Sequence, residues 1–146
     1  MPTYSCICAK DLLTAPQKSA IAAVITSAHV DVTGAPPYFA QVVFHHVNEG
    51  DHFIGGKVLG HDHLFVYGSI RIGRSDGVRE GLIKRLVKDV AAAAGVATFG
   101  VWVYLAELPP AAMAEFGHIL PEPGGEEAWS ESLPADERVR MQALSR

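Results

Sequence analysis

The second residue of the chain is proline, and Pro2 opens a run, Thr3 to Ala9, in which Tyr4, Cys6 and Cys8 alternate with Ser5, Ile7 and Ala9 as in a β-strand. A strand can begin with proline simply because its first N–H faces solvent in any case. The other reading is chemical. An initiator methionine is trimmed when the next residue is small, and trimming Met1 leaves Pro2 with a free secondary amine able to act as base, acid or nucleophile. Taken alone, Pro2 needs only the first reading.

A second candidate lies where Gly68-Ser-Ile-Arg71-Ile-Gly-Arg74-Ser-Asp76 joins a strand to a helix N-terminus and carries two guanidiniums three residues apart. Ligands favour this place in α/β sheets, and helix N-termini attract anions. Arg71 and Arg74 together suit a planar carboxylate, which arginine grips bidentately; two solvated loop charges are the plain alternative. His29 follows Ile25 by four residues and precedes Val32 by three, so it borders the buried stripe of a helix, as a core-edge histidine or as a ligand contact. Tyr104 closes the last core strand, and Glu115 sits in PPAAMAEFG, expected as a short helix opened by proline and stopped by Gly117. A tyrosine and a carboxylate beside a cationic pocket could hold and deprotonate water; an ordinary strand-end aromatic and a solvated glutamate are the alternatives.

Histidine is dense from His45 to His63, in HHVNEGDH and GHDH. Because His45 and His46 point to opposite strand faces and no closed tetrahedral spacing with cysteine occurs, surface and hairpin histidines are expected, and no metal site. Cys6 and Cys8, two apart on one strand face, are expected as small core residues and not as a disulfide.

The elements that must carry these groups show a repeat. Thr14-Ala-Pro-Gln17 is a capping box ahead of Ile21, Val24, Ile25, Ala28 and Val32 at helical spacing, with Gly34 as the stop. Ser75 and Asp76 open a second helix with Leu82, Ile83, Leu86, Val87, Val90 and Ala94 on one face and Gly95 as its stop. Thr14 to Ser75 is 61 positions, and so is Gly34 to Gly95. Strand-like runs flank both helices: Thr3 to Ala9 and Phe39 to Val47 around the first, His63 to Ile70 and Phe99 to Leu105 around the second.

The spacing therefore predicts an α/β (α+β) fold: one domain over 1–146, a pseudo-repeat of 2–60 and 61–120, each half β-α-β. Two such units make a four-stranded sheet with both helices on one face. The other face, rich in Val, Ile, Phe and Tyr, is then too apolar to stay bare, and oligomerisation follows. The proline-rich segment Glu107 to Arg146 is expected as a short helix and an extended arm over the core or a neighbouring subunit.

Composition bounds the partners. The chain has 146 residues, 49% of them hydrophobic, enough for a real core, and a formal net charge of −4 with no basic run, which leaves nucleic acid and anionic membranes without an electrostatic footprint. No stretch approaches the ~20 apolar residues of a membrane span and no signal-peptide pattern opens the chain, so a cytoplasmic protein is expected.

Pro2 with Tyr4, His29, the Arg71-Ile-Gly-Arg74-Ser75 loop, WVYLAELPPAAMAEFG and HILPEPG together resemble the tautomerase superfamily, specifically its cis-3-chloroacrylic acid dehalogenase-like group, from Pro2 to about Arg138. The resemblance implies a fused β-α-β fold, a homotrimer and no cofactor. It implies Pro2 as the catalytic amine, Arg71 and Arg74 with His29 as holders of the substrate carboxylate, and Tyr104 with Glu115 as activators of water. The nearby arginines would push the Pro2 amine toward its neutral form, giving a base for enol–keto tautomerisation; Glu115 would favour the charged form, giving an acid for hydration of a 3-haloacrylate with loss of halide. GAPPYFA at 34–40 and VFHHVNEGDH depart from the dehalogenase pattern. A retained Met1 would acylate Pro2 and leave a noncatalytic carboxylate-binding or structural trimer.

Overall fold

The computed structural model describes residues 2–145. Among these residues the strands and α-helices follow one another as β1 (Thr3–Ala9), α1 (Ala15–Thr33), β2 (Gln41–Val47), β3 (Phe53–Ile54), β4 (Lys57–Val58), β5 (Leu64–Arg71), α2 (Asp76–Ala94), β6 (Val101–Leu108), β7 (Ala114–Glu115), β8 (His118–Ile119), α3 (Glu126–Ser132) and α4 (Ala135–Ala143). The long strands form one sheet in the order β2-β1-β5-β6. The pairs β1–β2 and β5–β6 are parallel, as two β-α-β crossovers require, and the halves meet through the antiparallel pair β1–β5.

The helices form where the caps and apolar periods put them. Thr14 Oγ1 accepts from the Gln17 N–H while the Gln17 side chain accepts from the Thr14 N–H, and Ser75 caps α2 from Val78. Gly34 and Gly95 end them at φ 71° and φ 70°, left-handed conformations that cost a residue with a Cβ far more. Both helices lie on one sheet face. Ile21, Ile25 and Ala28 from α1 and Leu82, Leu86 and Val90 from α2 bury against Tyr4, Cys6 and Cys8 of β1 and Leu64 and Val66 of β5. The two cysteines are free and buried, as small apolar residues would be.

The opposite sheet face stays open within the chain. Phe65, Tyr67, Trp102 and Tyr104 share it, with Tyr67, Trp102 and Tyr104 exposed by 39%, 42% and 54%. Tyr104 stands beside Tyr67 in register and packs edge-on against Phe65, ring centres 5.0 Å apart.

Two expectations about the site-bearing segments need correction. The strand β6 runs to Leu108, so Tyr104 is mid-strand, not at its end. PPAAMAEFG is not a helix. A single 3₁₀ turn at Pro110–Ala112 leads into the hairpin β7–β8, turned by Phe116 at φ 54° and Gly117 at φ 86°. Two consecutive positive φ angles make the tight hairpin turn whose twist matches the strands, and Gly117 signals that turn as readily as a helix stop.

Nor is the segment beyond Glu107 an extended arm. It folds into the hairpin, α3 and α4, and its Leu120, Leu133 and Met141 build a second small core with Ala35 and Phe39 of the same chain. Among the described residues no helix is long and apolar enough to cross a membrane.

Candidate active site

Pro2, His29, Arg71, Arg74 and Glu115 lie around one end of the sheet, at the start of β1 and the end of β5. Pro2 is fully buried, and its carbonyl accepts from the Gln41 N–H at 2.9 Å, which fastens the chain start to the head of β2. Met1 lies outside the described residues, and its trimming or retention with it. Two residues on, Tyr4 points to the helix layer and shares a 2.8 Å hydrogen bond between its hydroxyl and Nδ1 of His29. Gly68 is opposite Tyr4 on β5. A Cβ there would stand 2.6 Å from the Tyr4 ring, so the glycine is what lets the tyrosine lie flat across the strand.

His29 is buried, 4% exposed, and its imidazole is pushed down to about 4. Burial is the main cause, and the positive charges of Arg74 and Arg71 add to it. It is therefore neutral near pH 7. The same burial pushes the Tyr4 hydroxyl well above its ordinary range, so Tyr4 also stays uncharged.

The two arginines differ in their surroundings. Arg71 is the last residue of β5 and is 3% exposed; Nη1 donates to the Pro121 carbonyl at 2.6 Å and Nη2 pairs with Oε1 of Glu126 at the start of α3. Arg74, in the loop, lines a cleft of about 910 Å³ with Thr33, Gly34, Tyr38 and Glu126. Its loop is tied down by Arg79, which donates to the Arg74 carbonyl and pairs with Asp76 and, at 3.1 Å, with Glu107. Arg71 is thus no solvated loop charge.

Glu115 lies elsewhere on the same end. On β7 it lines a cleft of about 800 Å³ shared with Thr3, Gln41 and Ser69, next to the start of β1 on the open-face side. Tyr104 is not brought to these groups within the chain. Its in-register neighbours are Tyr67 and, one strand further, Ser5, three positions down β1 from Pro2 and on the bare face. No arrangement of three or more His, Cys, Asp or Glu side chains able to hold a metal ion occurs among the described residues.

Reasoning from sequence missed four groups: Tyr4 as the partner of His29, the Pro121 carbonyl, Glu126 and Arg79. Tyr4 carried a signal, a hydroxyl on the buried side of an alternating strand, which must find a partner. Glu126 carried none, since the pair with Arg71 spans 55 residues and depends on how the last segment folds.

A family model described as "Putative oxalocrotonate tautomerase enzyme", Tautomerase_3, matches residues 1–132. Among solved structures, a protein called N1, described as a member of the cis-3-chloroacrylic acid dehalogenase family, is 30% identical, with a TM-score of 0.93 over 97% of this chain and 99% of that one. A protein named Ps01740 is 28% identical with a TM-score of 0.72 over 77% of this chain and 99% of that one. A fused 4-OT described as a symmetric trimer shares the fold at 22% identity, with a TM-score of 0.75 over 84% of this chain and 98% of that one. No curated protein matches the chain.

Proposed function

The chain belongs to the Tautomerase_3 family, and from that premise we propose that it is an enzyme in which the amine of Pro2, freed by removal of Met1, moves protons on a small carboxylate substrate. The observation that carries the reading is the environment of the chain start: Pro2 is buried two residues from Tyr4, whose hydroxyl engages a neutral His29 that feels both Arg71 and Arg74. A buried site near two guanidiniums disfavours a further positive charge, so the amine is biased toward its neutral, basic form. With the substrate carboxylate on the arginines, Pro2 takes the hydroxyl proton of an enol and returns a proton to the adjacent carbon, giving the 2-oxo acid. The step needs no further group.

Hydration of a 3-haloacrylate with loss of halide is a second reading, favoured by the likeness to the dehalogenase-family protein N1 and by Glu115 in the cleft next to β1. There Pro2 is the acid, protonating the carbon next to the carboxylate, while Glu115 and Tyr104 direct water at C3, and halide leaves from the hydrated carbon. Tyr104 lies on the bare sheet face, so in this reading it acts in the site of an adjoining copy. A homotrimer covering that face supplies such a copy, and the open aromatic strip supports one.

The test is Pro2→Ala in protein whose mass lacks methionine, assayed with phenylenolpyruvate and cis-3-chloroacrylate. The expected loss is about 10²- to 10⁴-fold in kcat, the range for a lost general acid or base. Full activity of the variant on every substrate turned over overturns the mechanism. Methionine retained in protein from its own host, with neither activity, leaves a binding protein with this fold.

A further inference from the structure

The assignment of Arg71 to a substrate carboxylate meets a physical obstacle, because that guanidinium already holds one. Nη2 pairs with Glu126, Nη1 donates to the Pro121 carbonyl at 2.6 Å, and the side chain is 2% exposed. An arginine with its fork so engaged has no face for a second bidentate partner. Its Nε is buried with no hydrogen-bond partner, so the guanidinium is not fully satisfied by its present neighbours.

Burial pushes the Glu126 carboxyl upward, yet the hydrogen bond and charge of Arg71 overcome this and hold it below the usual carboxylate range. Glu126 is therefore an ionised carboxylate against Arg71, and it also lines the cleft that Arg74 faces. A substrate carboxylate entering along Arg74 arrives beside it.

We propose that Glu126 is an internal counter-carboxylate for Arg71, which the carboxylate of an incoming substrate replaces as α3 moves away. The idea rests on the reading that Arg71 and Arg74 bind substrate. Exchange of one carboxylate for another keeps Arg71 paired throughout, whereas a neutral ester would leave a buried cation bare and is refused on that ground. The helix that must move follows Gly124 at φ 88° and has no side-chain cap, and it is held by Trp129, which packs against Phe39 and donates Nε1 to the Ile119 carbonyl at 2.9 Å, so these contacts part as Glu126 leaves Arg71.

Titration of the full-length protein with 3-phenylpropanoate, a carboxylate with no reacting carbon, tests this together with amide hydrogen exchange. Glu126→Gln keeps the shape of the side chain and removes the charge that competes. It should bind the probe about tenfold tighter than the parent, because the competent state no longer has to be freed. Glu122→Gln, an equal charge change on an exposed residue, should bind as the parent does. Saturating probe should speed exchange across 126–132 in the parent, and in Glu126→Gln that exchange should be fast without it. If Arg74→Ala binds the probe undiminished, the carboxylate site lies elsewhere and the proposed function falls with this inference. If Arg74→Ala loses binding while Glu126→Gln gains none, or while the probe leaves 126–132 unchanged, the exchange alone is wrong.

Discussion

His29 shows how a single residue takes its chemistry from its surroundings. An imidazole in water is half protonated near 6.5, but here burial and two arginines hold it down to about 4. A histidine depressed in the folded state binds fewer protons than in the unfolded chain between those two values, so it adds stability above about 6.5 and loses it as pH falls toward 4. The gap corresponds to up to about 3 kcal/mol at 1.36 kcal/mol for each unit. Chemical denaturation at pH 7.5 and 4.5 should show a larger loss for the parent than for His29→Gln, and equal losses would sink this account. Tyr4→Phe should cost about 1–3 kcal/mol, the range for a buried polar atom left without its partner, read as a shift in the denaturation midpoint.

At the scale of elements, the site depends on how closely strands and loops approach. Gly68 lets β5 pass over the Tyr4 ring, and a Cβ there would also lie 2.8 Å from Leu105. Gly68→Ala should cost about 1–3 kcal/mol by overpacking, read as a shift in the denaturation midpoint. Arg79 works through the Arg74 loop without reaching the cleft itself. Arg79→Ala should raise KM for a carboxylate substrate by about tenfold with kcat nearly unchanged, since a mobile Arg74 binds substrate less well at equal chemistry. A fall in kcat alone would place Arg79 elsewhere in the mechanism.

For the whole molecule, the asymmetry between the two sheet faces decides the outcome. One face is covered by α1 and α2; the other presents Phe65, Tyr67, Trp102 and Tyr104 to solvent in a single chain. Light scattering should give three times the chain mass, and Trp102→Glu should give the single chain, because a charge buried in an apolar contact is not repaid. If the parent is a stable monomer, the aromatic strip serves something other than self-association, and Tyr104 is left without a site to act in.

The residues that determined the fold from sequence were local ones. Thr14, Gln17 and Gly34, repeated as Ser75 and Gly95, set the helices because a cap acts within a few residues of itself. Alternation in 3–9 and the strand-like run at 63–70 did the same for the central strands, since a strand shows its faces at period two. The buried position of His29 was legible as its spacing to Ile25 and Val32. Only the tertiary structure decided the rest. PPAAMAEFG held prolines and a glycine that serve a helix or a hairpin equally well, and the second core of Phe39, Leu120, Leu133 and Met141 chose the hairpin. The partners of Arg71 and His29 lie 55, 50 and 25 residues away, and no local pattern encodes which distant oxygen will meet a buried cation or a buried imidazole. Contacts of that kind exist only once the sheet has closed and the last segment has folded over its end.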